Sequence, residues 1–159
     1  MTVDVAPIGS EDARRILRAY MGEMVSTYTG RPATEAEVDD ALREHPGDGL
    51  APPRGLFLLA REDGAIVGCA GLELQPGGIG VLQRLFVVPA RRRQGIGARI
   101  VAAVERVAAE HGAAMLRLDT RSDLAAARAL YERAGYAEIA PYDGGPYSDV
   151  YFEKRLGRP

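Results

Sequence analysis

The chain has 159 residues, 47% of them apolar and 26% charged, with a formal net charge of −2. These figures describe an ordinary globular domain that buries about two-thirds of its unfolded surface, and residues 1–159 read as a single domain. The near-neutral balance excludes the overall attraction that nucleic acid or an anionic membrane requires, so any anion must be bound locally.

In chain order, residues 2–8 alternate weakly and predict a first strand. Ser10 reads as an N-cap backed by Glu11 and Asp12. Ala13, Ile16, Leu17, Tyr20, Met24 and Tyr28 then recur every three or four residues along one helix face. Gly30 and Pro32 stop that helix. Thr34 to Glu37 fits a capping box, with Val38, Ala41 and Leu42 as the inner face of a second helix. Residues 46–55 hold three prolines and three glycines and form a loop. Its Pro46-Gly47-Asp48-Gly49 stretch is read as connection rather than a flap.

Strands follow at Leu56–Ala60 and Ala65–Leu74, joined by a Glu62-Asp63-Gly64 turn. A third, Gly80–Val88, ends at Pro89. Ile96, Ile100, Ala103, Val104 and Val107 share a helix face, and Met115–Asp119 is another strand. Ser122 or Asp123 caps a last helix with Ala127, Leu130, Tyr131 and Ala134 inward, closed by Gly135. Tyr136–Ile139 and Val150–Glu153 are final strands. Successive hairpins imply antiparallel pairing in the front half. The strand-helix-strand unit over 82–119 implies a parallel crossover, giving a mixed sheet with helices on both faces.

One cysteine, Cys69, lies in an apolar run and reads as a small buried hydrophobe. His45 and His111 are placed at helix ends rather than on a metal, and no metal site is expected. No apolar stretch approaches the ~20 residues of a membrane span, and the N-terminus lacks a signal layout. A cytoplasmic protein is expected.

The chemistry concentrates at Arg91-Arg92-Arg93-Gln94-Gly95-Ile96-Gly97-Ala98. A strand ends at Pro89 and a helix begins near Gln94 or Gly95. The first N–H groups of a helix lack internal partners and carry partial positive charge, which suits an anion. Gly95 and Gly97 lack a Cβ and admit close approach. The arginines match phosphate geometry. A solvated basic loop fits the same residues. The third glycine of a dinucleotide fingerprint and the Gly-Lys-Ser/Thr of a phosphate loop are both missing.

With these residues the chain resembles the GNAT superfamily of N-acetyltransferases. Its pyrophosphate motif, Arg/Gln-x-x-Gly-x-Gly/Ala, is met by Arg92-x-x-Gly95-x-Gly97. A second signature is met by Ala127-Arg128-Ala129-Leu130-Tyr131-Glu132-Arg133-Ala134-Gly135-Tyr136. The resemblance, over about residues 55–156, implies a mostly antiparallel sheet with one splayed parallel pair, Gly80–Val88 beside Met115–Asp119. It implies acetyl-CoA as donor, with the diphosphate on the amides of Gln94, Gly95, Ile96, Gly97 and Ala98, flanked by Arg92 and Arg93. Phe86, Val87 and Val88 would pair with the pantetheine arm, and an amide near Val87 would polarise the acetyl carbonyl.

Tyr131 matches the family's tyrosine beside the CoA sulfur and would protonate the departing thiolate. A core aromatic fits its inward face equally. Two departures stand out: Leu124 replaces a common asparagine, and Val81-Leu82-Gln83-Arg84 replaces Glu-Ile-Lys-Arg, which removes the usual base. Glu73, on the strand beside Val81, is the substitute expected. No covalent enzyme intermediate is expected.

The acceptor, a small-molecule or peptide amine, falls in the family to the first two helices and the last hairpin. These offer Tyr20, Met24, Tyr28, His45, Tyr142, Tyr147 and Asp149, with Pro141–Tyr147 as a rim. A non-catalytic acyl-CoA sensor is the main rival reading, followed by a scaffold domain. The sequence leaves a homodimer open.

Overall fold

The computed structural model describes residues 1–142 and 148–157. The strands are β1 (Thr2–Ala6), β2 (Gly55–Glu62), β3 (Ala65–Gln75), β4 (Ile79–Val87), β5 (Met115–Thr120), β6 (Ala137–Ile139) and β7 (Val150–Arg155). The helices are α1 (Glu11–Thr29), α2 (Glu35–Glu44), α3 (Ile96–Glu110) and α4 (Ala125–Arg133). The strands form one sheet in the order β1-β2-β3-β4-β5-β7-β6. Every neighbouring pair is antiparallel except β4 and β5, the mixed sheet expected.

Local chemistry sets most boundaries. Ser10 Oγ accepts from the Ala13 N–H at 3.2 Å, and α1 ends on Gly30 at φ +77°. Thr34 and Glu37 close a reciprocal capping box on α2. Asp63 and Gly64, both at positive φ, make the primed turn that suits the twist of a tight hairpin. His45 and His111 are the C-cap residues of α2 and α3.

Each sheet face carries its own core. Ala13, Ile16 and Leu17 of α1 pack with Leu50, Phe57, Leu59, Cys69 and Phe86 on one face. Ile100 and Val104 of α3 pack with Leu58, Leu72, Leu116 and Phe152 on the other. Burial of the Cys69 thiol pushes its pKa up to about 12, as suits an inert core residue. The 46–50 connection is anchored: Leu50 is buried against Gly71, and Arg84 donates to the His45 carbonyl at 2.8 Å.

Two local expectations fail. The apolar stripe of α1 leaves the core after Met21, and Tyr28 is 67% exposed. Neither Ser122 nor Asp123 caps α4, whose N-cap residue is Leu124 with no side-chain bond. Asp123 instead pairs with Arg121, and Asp149 takes both the N–H and the hydroxyl of Ser122 at 2.7 and 2.6 Å.

The feature that positions the site is a split in the sheet. β4 and β5 pair only through Ile79↔Met115, Gly80↔Leu116 and Val81↔Arg117, although both strands continue. β4 stays with β3 across a bulge: Cys69 opposes Phe86 and Gly71 opposes Gln83, so Arg84 and Leu85 face Ala70 alone. Arg84 absorbs the extra residue at φ +53°. A bulge bends its strand, here away from β5.

Candidate active site

Backbone alternation identifies the groups that line the split. The Val88 N–H donates to the Val67 carbonyl at 3.0 Å, and the Val88 carbonyl accepts from the Arg91 N–H at 2.9 Å. Both main-chain groups of Val88 are therefore committed. Val87, one residue earlier, points its own groups the opposite way, into the split. Its carbonyl there accepts from Arg92 Nε at 2.9 Å, which leaves the Val87 N–H facing the opening. The Phe86 ring stays on the α1 face. Tyr20 stands edge-on to it at 6.0 Å between centroids, and the Arg92 guanidinium lies 5.5 Å from its centre.

The turn into α3 treats its residues differently. Arg91 pairs with Glu62, and Arg92 with Glu23 at 2.7 Å, while Arg93 and Gln94 are exposed. Gly95 is the N-cap residue of α3 at φ +77°, with no side-chain cap. A Cβ placed there would meet nothing within 4 Å, so glycine is required by conformation and the space in front is open. The amides of Ile96, Gly97 and Ala98 begin the helix behind it. Gly97 also has a packing neighbour: a Cβ there would come within 3.3 Å of Leu130 on α4. The Ile96 side chain is buried in the α3-face core, so only its main chain faces the turn.

Tyr131 reaches the split from the other lip. It is 6% exposed and set against Tyr136 and Phe152, with centroids 5.9 and 6.0 Å away. Among the described residues none accepts its hydroxyl proton, and that oxygen is not one of the sealed, unpartnered atoms. Burial holds the phenol well above its ordinary value near 10, with Tyr20 and Asp119 adding to the rise. Tyr20 is pushed up to about 12 by burial, against a lowering by Arg84, with Cys69 and Asp119 raising it further. Two phenols from opposite sheet faces thus feel the same carboxylate, Asp119.

Glu73 sits a strand away. It opposes Val81 on β3, level with the last paired residues of β4 and β5, and accepts from Gln83 Nε2 at 2.8 Å. Asp119 lies two residues past that level on β5, exposed at the lip itself. It accepts from the Ser148 hydroxyl and, at 3.5 Å, from the Tyr142 hydroxyl. Beside it, Arg117 pairs with Glu153 at 3.2 Å and lies 5.6 Å from the centre of the Tyr142 ring.

Of the expected acceptor residues, Tyr20 and Tyr142 reach this place, and Met24 is half-buried further along α1. Tyr28 is exposed at the end of α1, His45 caps α2, and Asp149 is spent on Ser122. Asp143–Tyr147, most of the expected rim, lie outside the described residues. Asp119, Arg117 and Ser148 were missed. The alternation of Met115–Thr120 already turns Asp119 away from Leu118 and Thr120, but nothing local brings Tyr142 and Ser148 to it.

A separate groove of about 520 Å³ is lined by Glu105, Arg106, Lys154 and Leu156. It lies toward the opposite end of the strands, and its Glu105 is already taken by Tyr136 and Lys154. Among the described residues no three His, Cys, Asp or Glu gather as metal ligands, and no helix is long and apolar enough to cross a membrane.

An opened parallel pair beside a helix start with no side-chain cap leaves room for an extended ligand with an anionic end. The family model for "Acetyltransferase (GNAT) family" matches residues 14–136, and the chain belongs to that family of acetyltransferases. It is 37% identical to an IAA acetyltransferase of Azospirillum brasilense over 112 residues, 67% of this chain and 72% of the relative. It is 31% identical to the aminoglycoside N(6')-acetyltransferase type 1 of Klebsiella aerogenes, over 57% of this chain and 64% of the relative. The PaiA N-acetyltransferase of Thermoplasma acidophilum, solved with coenzyme A, superposes with a TM-score of 0.75. That match has 21% identity and covers 98% of this chain and 100% of that one.

Proposed function

We propose that the protein transfers an acetyl group from acetyl-CoA directly to the nitrogen of a primary amine. The observation that carries this reading is the split itself: β4 runs on unpaired beyond Val81. Tyr131, buried on α4, has no hydroxyl partner among the described residues.

The residues divide the work. The amides from Gln94 to Ala98, opened by Gly95, suit the diphosphate, with Arg93 exposed at the same turn. Arg92, drawn to Glu23 and Val87, would be freed by an anion stronger than a carboxylate. The backbone of Leu85 and Val87 offers the pantetheine arm an edge to pair with, next to Phe86. The Val87 N–H suits the acetyl carbonyl oxygen as charge develops on it.

In the reaction, a C–N bond forms as the C–S bond breaks. Tyr131 gives its proton to the leaving sulfur and regains one from the new amide nitrogen, so the phenol ends unchanged. The acceptor's first proton must leave before attack, and two carboxylates are available for its route, Glu73 and Asp119. Fixed geometry supplies much of the acceleration, since donor and acceptor meet as one assembly.

A rise in melting temperature with free CoA tests the donor site, and none at millimolar CoA would remove it. Thiol release with acetyl-CoA and a panel of amines, amino acids, aminoglycosides and peptides tests the chemistry. A sensor would keep the CoA shift and release no thiol. The unpartnered hydroxyl of Tyr131 favours the enzyme. The cytoplasm, and a monomer or homodimer, are compatible settings for it.

A further inference from the structure

We infer that the Asp119 carboxylate, with the Tyr20 phenol across the cleft, receives the acceptor as a protonated alkylamine. The inference rests on the N-acetyltransferase reading and names its substrate class: aliphatic ammonium ions, in preference to neutral aryl amines or alcohols.

Three observations converge on it. First, Asp119 has acceptor capacity to spare among the described residues. A carboxylate offers about four lone-pair sites, and here it takes two neutral hydroxyls, Ser148 and Tyr142. Among the described residues it belongs to no ion pair, whereas the cations near it in the chain are spent: Arg117 on Glu153, Arg121 on Asp123. Exposure at the lip leaves it open to a solute cation.

Second, position separates it from Glu73. The sheet opens beyond Val81 and Arg117, and Asp119 is in the opened part while Glu73 is level with the closed part. Asp119 contributes to the raised pKa of both Tyr20 and Tyr131, and Glu73 contributes to neither. The carboxylate therefore lies within electrostatic reach of the α1 phenol and of Tyr131.

Third, the walls suit a cation on an apolar stem. Tyr20 and Phe86 meet edge-on, as do Tyr142 and Tyr151 at 4.9 Å, and Tyr142 already faces one cation in Arg117. Aromatic faces attract ammonium groups and cover methylenes. An amine held at Asp119 sits in the opened part of the sheet, beyond Val81 and Arg117. Its ammonium proton passes to the carboxylate or its water before the nitrogen attacks, and then to solvent.

The test uses the full chain saturated with CoA and two matched probes, phenethylamine and phenethyl alcohol. The amine is expected to raise the melting temperature above that of the CoA complex, and the alcohol is not. Asp119→Asn is expected to remove the amine increment while keeping the CoA increment. With acetyl-CoA, it is expected to raise KM for phenethylamine about tenfold or more, with a smaller change for aniline, which is neutral at pH 7. Tyr20→Phe is expected to shift the same KM in the same direction. An equal response of wild type to amine and alcohol, with the CoA increment intact, overturns the inference without any variant. So does an amine increment or KM unchanged in Asp119→Asn. Absence of the CoA increment in the wild type overturns the parent reading, and this inference with it.

Discussion

The two lips of the split are built by different means. The proposed donor lip, β4 with the turn into α3, offers main chain: the Val87 amide, the positive φ of Gly95, and helix amides with no cap. The proposed acceptor lip offers side chains gathered from far apart, with Tyr20 on α1, Asp119 on β5, and Tyr142 and Ser148 before β7. A main-chain site tolerates changes in its surface residues but not in its backbone conformation. A side-chain site can be redirected one residue at a time, which suits a family whose donor is common and whose acceptors differ.

The sharpest test of this contrast is the one side chain proposed to take part in the transfer itself. Tyr131→Phe should lower kcat by about a hundredfold to ten-thousandfold, the usual worth of a general acid, with little change in CoA affinity. Near-normal turnover would reduce Tyr131 to a core aromatic.

On the donor lip, Gly95→Val forces a branched residue into the left-handed region, a strain of about 1–2 kcal/mol. The expected outcome is loss of most of the CoA-induced melting shift, with acceptor KM little affected among molecules that still turn over. If Gly95→Val binds CoA normally by calorimetry, the diphosphate does not rest on this turn.

On the acceptor side, α2 depends on its capping box. Thr34→Ala should cost about 1 kcal/mol by urea denaturation and leave the CoA shift intact. Glu37 in that box is held down to about 2, chiefly by the hydrogen bond from Arg31 and then by Thr34. A depressed carboxylate contributes stability above its ordinary value near 4.5, lost as pH falls through about 2. Glu37→Gln should therefore flatten the acid limb slightly in that window, a small effect because the pair is exposed.

The smallest expected effect lies at high pH. Tyr20 and Tyr131 both have raised folded pKa values, so their contribution is whole below about 10 and declines as pH rises from there, through about 12 for Tyr20. Tyr20→Phe should soften the alkaline fall in urea midpoint. An unchanged fall would mean that its phenol is not buried beside Phe86. Throughout the neutral range Tyr131 stays protonated, as its proposed role of proton donor requires.

Much of the donor lip was legible because it is local. Gly95 beside a strand end and a helix start lies within a dozen residues, and its glycine is required by the backbone it adopts. The sequence offers one reason for both glycines, close approach of a phosphate; the structure adds a second at Gly97, where a Cβ would crowd Leu130 on α4, a contact no local pattern contains. The cap expected from Ser122 or Asp123 failed for a similar cause, since Asp149, far along the chain, had already engaged Ser122. Glu73 was chosen by strand adjacency, which says which residues are neighbours but not where neighbouring strands part.

By itself, then, the sequence determined the elements, their order and the mixed sheet, because caps, turns and periodicity act over a few residues. Only the tertiary structure decided where the sheet opens, since a bulge at Arg84 matters through the strand it leaves behind. It alone brought Tyr20, Asp119, Tyr142 and Ser148 to one place, because electrostatic and hydrogen-bonding partners are chosen by distance in space.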